Sequence, residues 1–280
     1  MPSLTDLKEE LDDLNTMKSI TSALTESSAG HLKKIRDNFQ RNVKLYQEIS
    51  DLYHLVRISY FKIPAQKNTP LPKVQLKTLS VAVTSNQRFY GNINSNIMRL
   101  FVEKTRTQNS DLMVVGQTGQ SFMKISSFGR NYQSQLFQKD TPSVDECSQF
   151  VEKTINYDSI LLYYPKFVSL VNQTVGISDI TQAAAPEGGE KEEIKVLFEP
   201  DLPKILDFFN HQVRRLLFLR IMLETDLSLT AARLLAMSAA EERSGDLIKE
   251  KQSEIRKNTA SFINAKLLET FSSLRLYEEE

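Results

Sequence analysis

The chain has 280 residues, with 35 basic and 35 acidic side chains, 40% hydrophobic residues, no Trp and one Cys. Zero net charge excludes a broadly basic nucleic-acid binder, the apolar content excludes a disordered chain, and a lone cysteine excludes an internal disulfide framework. At about 150 residues per domain the length fits one or two domains.

Gly and Pro are nine each, about half their usual share, and they are unevenly placed. Between Pro2 and Pro64 the only breaker is Gly30, and after Pro203 it is Gly245. Each end therefore accommodates a helix of roughly 50–70 residues, or about 75–105 Å at the α-helical rise. Helices of that length need a partner along most of their extent. At the N-terminus Ser3 and Asp6 have capping-box spacing, although the box prefers Glu or Gln at its fourth position. Leu4, Leu7, Leu11 and Leu14 then form a heptad seam. The frame meets Lys18, Thr21, Thr25 and Ser28, which are polar or small, and recovers at Leu32, Ile35, Phe39, Tyr46, Ile49, Tyr53 and Val56. The C-terminal stretch carries Leu227, Leu234, Met237, Ile248, Ile255 and Phe262 in one frame. A second stripe, Leu247, Ile263, Leu267, Phe271 and Leu274, lies beside it. These stripes fit a pair of amphipathic core helices in a bundle; two terminal helices of matching length suggest instead that they pair antiparallel and project from what lies between.

Between them the texture changes. Leu79, Val81 and Val83 alternate as a strand, Ile93 to Gln108 reads as a helix, and Leu112 to Val115 as a short buried strand before Gly116 and Gly119. Ser143 to Glu146 is a capping box opening a helix to about Asn156. Ser159 to Tyr164 reads as a strand with a partner near Ser169 to Val175. Ala183 to Glu193 reads as a low-complexity loop, and Ile194 to Phe198 as a last strand. The fold class is α/β: a long antiparallel coiled coil of the terminal helices plus a central, small, mostly parallel, Rossmann-like α/β domain. The expected division is 1–60 for the first helix, 61–202 for the α/β domain and 203–280 for the second helix.

Chemistry is sparse. His31, His54 and His211 are isolated, and Cys147 has no Cys or His neighbour, so neither a metal site nor a cofactor is expected. Gly116-Gln117-Thr118-Gly119 follows a strand but lacks the third glycine of a dinucleotide fingerprint and the Gly-Lys-Ser/Thr of a phosphate loop. A plain strand-to-helix turn is the simpler reading. Glu9-Glu10, Asp12-Asp13 and Glu241-Glu242 read as solvated helix faces. The most apolar run, Leu216 to Leu223, is interrupted by Arg220, and no run reaches the roughly 20 apolar residues of a membrane span. Met1-Pro2-Ser3 opens no signal-peptide pattern. The expectation is a two-helix shaft carrying an α/β domain, with no catalytic apparatus of its own.

These residues resemble the gamma subunit of F-type ATP synthases, the central rotor stalk. The family's Ile-Thr-Lys-Ala-Met is similar to Ile20-Thr21-Ser22-Ala23-Leu24. Its Thr-Ser-Asp-Arg-Gly-Leu-Cys-Gly-Gly-Leu-Asn-Ser-Asn is similar to Thr84 through Asn96, keeping Gly91, Asn94, Ser95 and Asn96. Its Val-Val-Gly-x-x-Gly is Val114 to Gly119, and its Ala-Ala-Arg-Met-x-Ala-Met resembles Ala231 to Met237. Departures are concentrated in the shaft. The terminal Ile-Thr-x-Glu-x-x-Glu reads Ile263-Asn264-Ala265-Lys266-Leu267-Leu268-Glu269, and the family's basic N-terminal stretch is acidic here, with Asp6, Glu9, Glu10, Asp12 and Asp13.

The resemblance implies a non-catalytic subunit, a coiled coil inserted in a ring of three alpha and three beta subunits. The α/β domain would lie beside the epsilon subunit and the membrane ring of c subunits. By the same resemblance Ile20, Thr21, Ala23, Leu24, Arg233, Met237, Ile263, Leu267, Leu268 and Glu269 are expected to contact the sleeve. Nucleotide chemistry would belong to the beta subunits. The polar Lys18 to Ser28 interval fits a shaft that avoids deep apolar interlocking where the sleeve grips it. A peripheral position on the cytoplasmic side of a bacterial membrane follows from the same resemblance. Two alternatives stay open: the rotor of a divergent F-type-like ATPase that does not serve ATP synthesis, and a ligand-binding α/β module with a coiled-coil dimerisation arm.

Overall fold

A computed structural model describes residues 3–61, 77–126, 128–181 and 202–278. The chain divides into two compact units, Met1–Ala29 with Leu234–Glu280, and Gly30–Arg233. Helix α1 (Leu4–Phe61) and helix α5 (Leu202–Glu278) each contribute to both.

In the first unit the two helices run antiparallel. Lys251 Nζ lies 2.7 Å from Glu10 Oε2, and a Cβ on Gly245 would lie 3.9 Å from Lys18 Nζ, so numbers rise on one helix as they fall on the other. The Ser3 box closes with Asp6: Asp6 N donates to Ser3 Oγ and Ser3 N to Asp6 Oδ2. The heptad frame is realised in burial. Leu7, Thr21 and Ser28 are buried and Leu11, Leu14 and Thr25 half-buried on α1, with Met237, Ser244 and Ile248 buried on α5.

Thr21, expected at the sleeve by resemblance, is buried inside the pair, and Ser28 is buried at its place in the heptad frame. Thr21 Oγ1 donates to the Met17 and Lys18 carbonyls, and Ser244 Oγ to Ala240 O, so these hydroxyls are satisfied within their own helices. Phe262 does not enter the seam; it is 67% exposed, as is every residue from 260 to 272 in kind. With Glu10 opposite Lys251, α1 begins too late to cover these last turns.

The second unit is built on a five-stranded sheet. Its strands are β1 (Thr78–Val83), β2 (Asp111–Val115), β3 (Gln133–Gln135), β4 (Ser159–Phe167) and β5 (Gln173–Asp179), in spatial order β3-β2-β1-β4-β5. All neighbours are parallel except β4 and β5. The crossovers carry α2 (Ile93–Thr105), α3 (Gln117–Ile125) and α4 (Val144–Thr154). Strand alternation sorts the core into two faces. Leu79, Val81, Val83, Met113, Val115, Ile160, Leu162 and Tyr164 pack with α4, Tyr46 and residues 213–222 of α5. Ala82, Leu112, Val114 and Tyr163 pack with α2, Met123, Leu229 and Ala232. Phe218 stacks on Phe150 with centroids 4.1 Å apart.

The strands expected near 79–83, 112–115 and 159–164 are present, as are the helix from Ile93 and the Ser143 capping box. The partner of β4 starts at Gln173 instead of Ser169 and runs antiparallel, because the intervening 168–172 is too short for a parallel crossover. Strand β3 was not anticipated. The expected 183–193 loop and 194–198 strand lie outside the described residues. No described helix is long and apolar enough to cross a membrane.

Glu224 is an acidic group buried in this core. It is 6% exposed, and its Oε2 accepts from Tyr164 OH at 3.4 Å. Burial raises its pKa, against the opposing influence of Arg220 and Lys166. A carboxyl whose folded pKa lies above its unfolded value weakens the fold as pH rises past the unfolded value. Glu224→Gln should therefore raise the urea midpoint at pH 8, with the advantage shrinking toward pH 4. A second test is steric. Gly116 has φ +95°, and a Cβ there would lie 2.2 Å from Thr84 O, whereas one on Gly30, inside α1, meets nothing within 4 Å. Gly116→Ala should cost at least about 1–3 kcal/mol, while Gly30→Ala should gain roughly 0.5–1 kcal/mol, both read by urea unfolding.

Candidate functional site

In a parallel α/β sheet the crevice at the carboxyl ends of the strands is the default ligand position. Here β1 runs into Thr84-Ser85-Asn86 and β2 into Gly116. At the α3 N-terminus, Gln117 N donates to Asn86 Oδ1, Thr118 N to Ser85 O and Gly119 N to Thr84 Oγ1, at 2.9–3.2 Å. Thr84 Oγ1 in turn donates to Val115 O at 2.7 Å. The amides that would receive a phosphate are taken by the chain itself, so this is a self-capped strand-to-helix turn. Gly119 is tight for the same reason, since a Cβ there would lie 2.7 Å from Thr84 Oγ1.

The kept Gly91, Asn94, Ser95 and Asn96 build this loop. Gly91 adopts φ +59°, which a side chain would strain. Asn94 is buried, donates from Nδ2 to Ser85 Oγ at 2.8 Å and accepts from Ser85 N at 3.3 Å. Ser95 is exposed, and Asn96 Oδ1 accepts from Arg99. Asn94 thus braces the loop through Ser85. Phe89, at φ 72° and 63% exposed, is the one described non-glycine residue in the left-handed region.

Beside that loop lies a polar cluster that sequence reasoning did not find. Arg233 sits 4.2 Å above the Tyr90 ring and donates from Nη2 to Gln87 Oε1 at 2.6 Å. Tyr90 OH donates to Asp140 Oδ2 at 2.6 Å, and Asn86 N to Asp140 Oδ1 at 2.6 Å. Burial and the Asp140 hydrogen bond hold the Tyr90 phenol far above its ordinary range. Asp226 accepts from Thr141 Oγ1 at 2.6 Å, and His31 Nε2 lies 3.5 Å from its Oδ1. The chain separations, 85 residues for Thr141–Asp226 and 146 for Gln87–Arg233, left no local signal.

The expected sleeve residues fall into three groups. Ile20, Ala23, Ile263, Leu267, Leu268 and Glu269 are exposed. Thr21 and Met237 are buried in the first unit, and Leu24 is half-buried. Arg233 is held by the loop of the second unit just described. Cys147 is buried, with burial pushing its thiol up to about 11, which makes it a poor nucleophile. Among the described residues no group of three or more His, Cys, Asp or Glu could hold a metal ion.

A family model described as ATP synthase matches residues 3–274. An ATP synthase gamma chain of Clostridium perfringens (strain SM101 / Type A) is 25% identical over 277 residues, covering 95% of each chain. Another, of Legionella pneumophila (strain Corby), is 22% identical over 289 aligned positions, covering 96% of this chain and 97% of its own length. Two solved structures share the fold. The central stalk and c-ring of Tetrahymena thermophila mitochondrial ATP synthase matches with TM-score 0.58 and 19% identity, over 79% of this chain and 99% of that one. The rotor of the Euglena gracilis mitochondrial enzyme matches with TM-score 0.52 and 16% identity, over 84% and 99%. The chain belongs to the ATP synthase family and is one of its gamma chains.

Proposed function

We propose that this chain is the central-stalk rotor of an F-type ATP synthase, coupling ion-driven rotation of a membrane ring to ATP synthesis or hydrolysis in a hexamer of alpha and beta subunits. The observation that carries this reading is the exposed end of α5. Phe262, Ile263, Leu267, Leu268 and Phe271 stay uncovered by their own chain, and an apolar helix end of this kind is suited to a surrounding protein sleeve. Packed heptad layers resist bending and twisting, so rotation imposed at one end is passed along the pair.

The chain supplies no nucleotide chemistry in this reading; its α3 turn is occupied by its own side chains, and the reacting site belongs to the beta subunits. Residues 1–60 and 203–280 act as the shaft and 61–202 as the domain carried beside the epsilon subunit and the c-ring. The exposed Ile20, Ala23, Ile263, Leu267, Leu268 and Glu269 are the shaft's sleeve contacts. The subunit associates peripherally with the membrane sector, on the cytoplasmic face in a bacterial cell. The altered Ile263 to Glu269 signature and the acidic, exposed Asp6 to Asp13 stretch favour, as a second reading, a divergent machine that hydrolyses ATP without making it. Driving the reassembled enzyme with an ion gradient and assaying ATP formation separates the two.

The pure chain should show no ATP turnover, and adding it to alpha and beta subunits should raise steady hydrolysis at least tenfold. Turnover by the chain alone, or no stimulation, would sink the rotor reading. Met237→Pro deletes a backbone donor and clashes with the preceding turn, at about 3 kcal/mol or more. It should kink α5 and abolish coupled synthesis, with near-normal folding of the second unit by circular dichroism and limited proteolysis.

A further inference from the structure

We infer that Asp226 and Arg233 of α5 are torque anchors, positioning residues that lock the α/β domain against rotation about α5 by directional polar contacts that the apolar core beside them does not supply. The inference rests on the rotor reading. All groups involved belong to the second unit.

The apolar attachment of α5 runs through residues 213–222 on one sheet face, centred on Phe218 stacked upon Phe150, and through Leu229 and Ala232 on the other. Apolar contact is non-directional; it opposes separation of two elements more strongly than it fixes their mutual angle. The polar bridges bracket the Leu229 and Ala232 contact. Asp226 lies eight residues past Phe218, about 12 Å of rise, and Arg233 about 10 Å beyond that. Directional fixings spaced along the axis resist twist that the non-directional packing beside them permits.

The bridges are directional. Asp226 is buried and gathers three elements on one carboxylate. Thr141, in the loop before α4, donates to Oδ2 at 2.6 Å, His31 of α1 lies 3.5 Å from Oδ1, and Thr230 of α5 donates to Oδ1 at 3.5 Å. Arg233 grips the β1–α2 loop through Gln87 Oε1, Arg88 O and the Tyr90 ring. The two gripped loops are themselves tied together, since Asp140 accepts from Asn86 N and from Tyr90 OH, and Asn86 Nδ2 donates to Phe137 O at 2.9 Å. Torque on the α/β domain thus reaches α5 through a closed ring of contacts: Thr141 hydrogen-bonds Asp226, its chain neighbour Asp140 hydrogen-bonds Tyr90, the Tyr90 ring faces Arg233 in a cation–π contact, and the α5 backbone joins Arg233 to Asp226. Hydrogen bonds to charged groups are short and angle-dependent, which makes such a ring stiff in the sense of rotation.

The test uses the enzyme reassembled in vesicles with its alpha, beta and membrane-sector subunits, reading ATP hydrolysis and ATP-driven ion uptake together. Thr141→Val removes the Asp226 bond to the loop before α4 and Gln87→Leu the shortest Arg233 bond, each at nearly constant volume, and the double variant removes both bonds. The expected result is hydrolysis within twofold of the unsubstituted enzyme but a fall of at least threefold in ions moved per ATP in the double variant. Thr141→Ser, which keeps the hydroxyl, should behave as unsubstituted. An unchanged ratio in the double variant overturns the inference. So does a parallel loss of both activities, or failure of all three variants to fold, since a purely structural role predicts those. If the unsubstituted chain does not stimulate hydrolysis by alpha and beta subunits, the rotor reading itself fails and the anchor falls with it; that outcome is seen before any variant is measured.

Discussion

A long helix cannot stand alone in water, because its backbone bonds offset the entropy of ordering only marginally and its apolar stripe has to be covered. Both ends of this chain are such helices, and each covers the other. In the first unit the cover is a heptad seam from Leu7 to Ser28 on α1 and from Met237 to Ile255 on α5. In the second unit the same two helices meet the sheet as well, through Tyr46 and residues 213–222. The rest of the arrangement depends on this mutual covering, including the antiparallel direction, the small residues Thr21, Ser28 and Ser244 in the seam, and the place where α5 runs out of cover.

What was legible in the sequence was what is local. The absence of breakers, the 3-4 spacing of Leu4 to Leu14, the alternation of Leu79, Val81 and Val83, and the Ser143 box each involve residues within a few positions of one another. The structure keeps all of them. Strand β3 was not legible because Gln133-Ser134-Gln135 has no apolar pattern. It exists because the edge of β2 offers backbone partners from Met113 to Val115. The direction of β5 was set by the length of a loop, not by its own residues. Phe262 was assigned to the seam from its period alone, and period cannot tell where the facing helix stops.

The candidate site shows a similar division. Sequence spacing was enough to make Gly116 to Gly119 an unconvincing phosphate loop. The reason became visible only when Thr84, Ser85 and Asn86, more than 30 residues earlier, were found bonded to the three amides at the start of α3. From the motif kept from the family, Asn94 braces that same turn through Ser85. A crevice that in other α/β folds admits a ligand is here closed from within, and the surplus polar groups around it face α5 through Arg233 and Tyr90. The fold has turned a binding position into a joint.

The uncovered end of α5 has a thermodynamic consequence. Residues 260 to 272 are all exposed, so these turns of α5 hold mainly through their backbone bonds and their continuity with the packed part of the helix, a marginal arrangement in water. Further ordering of these turns is therefore supplied by whatever surface closes over them. Association would then be partly a folding reaction, with a negative heat-capacity change from apolar burial and an entropic cost from helix ordering. The share contributed by Phe262, Leu267, Leu268 and Phe271 would depend little on salt, since none of them carries a charge. Amide exchange there would be fast in the free chain and slow in the assembly, a contrast absent from the seam a few turns away.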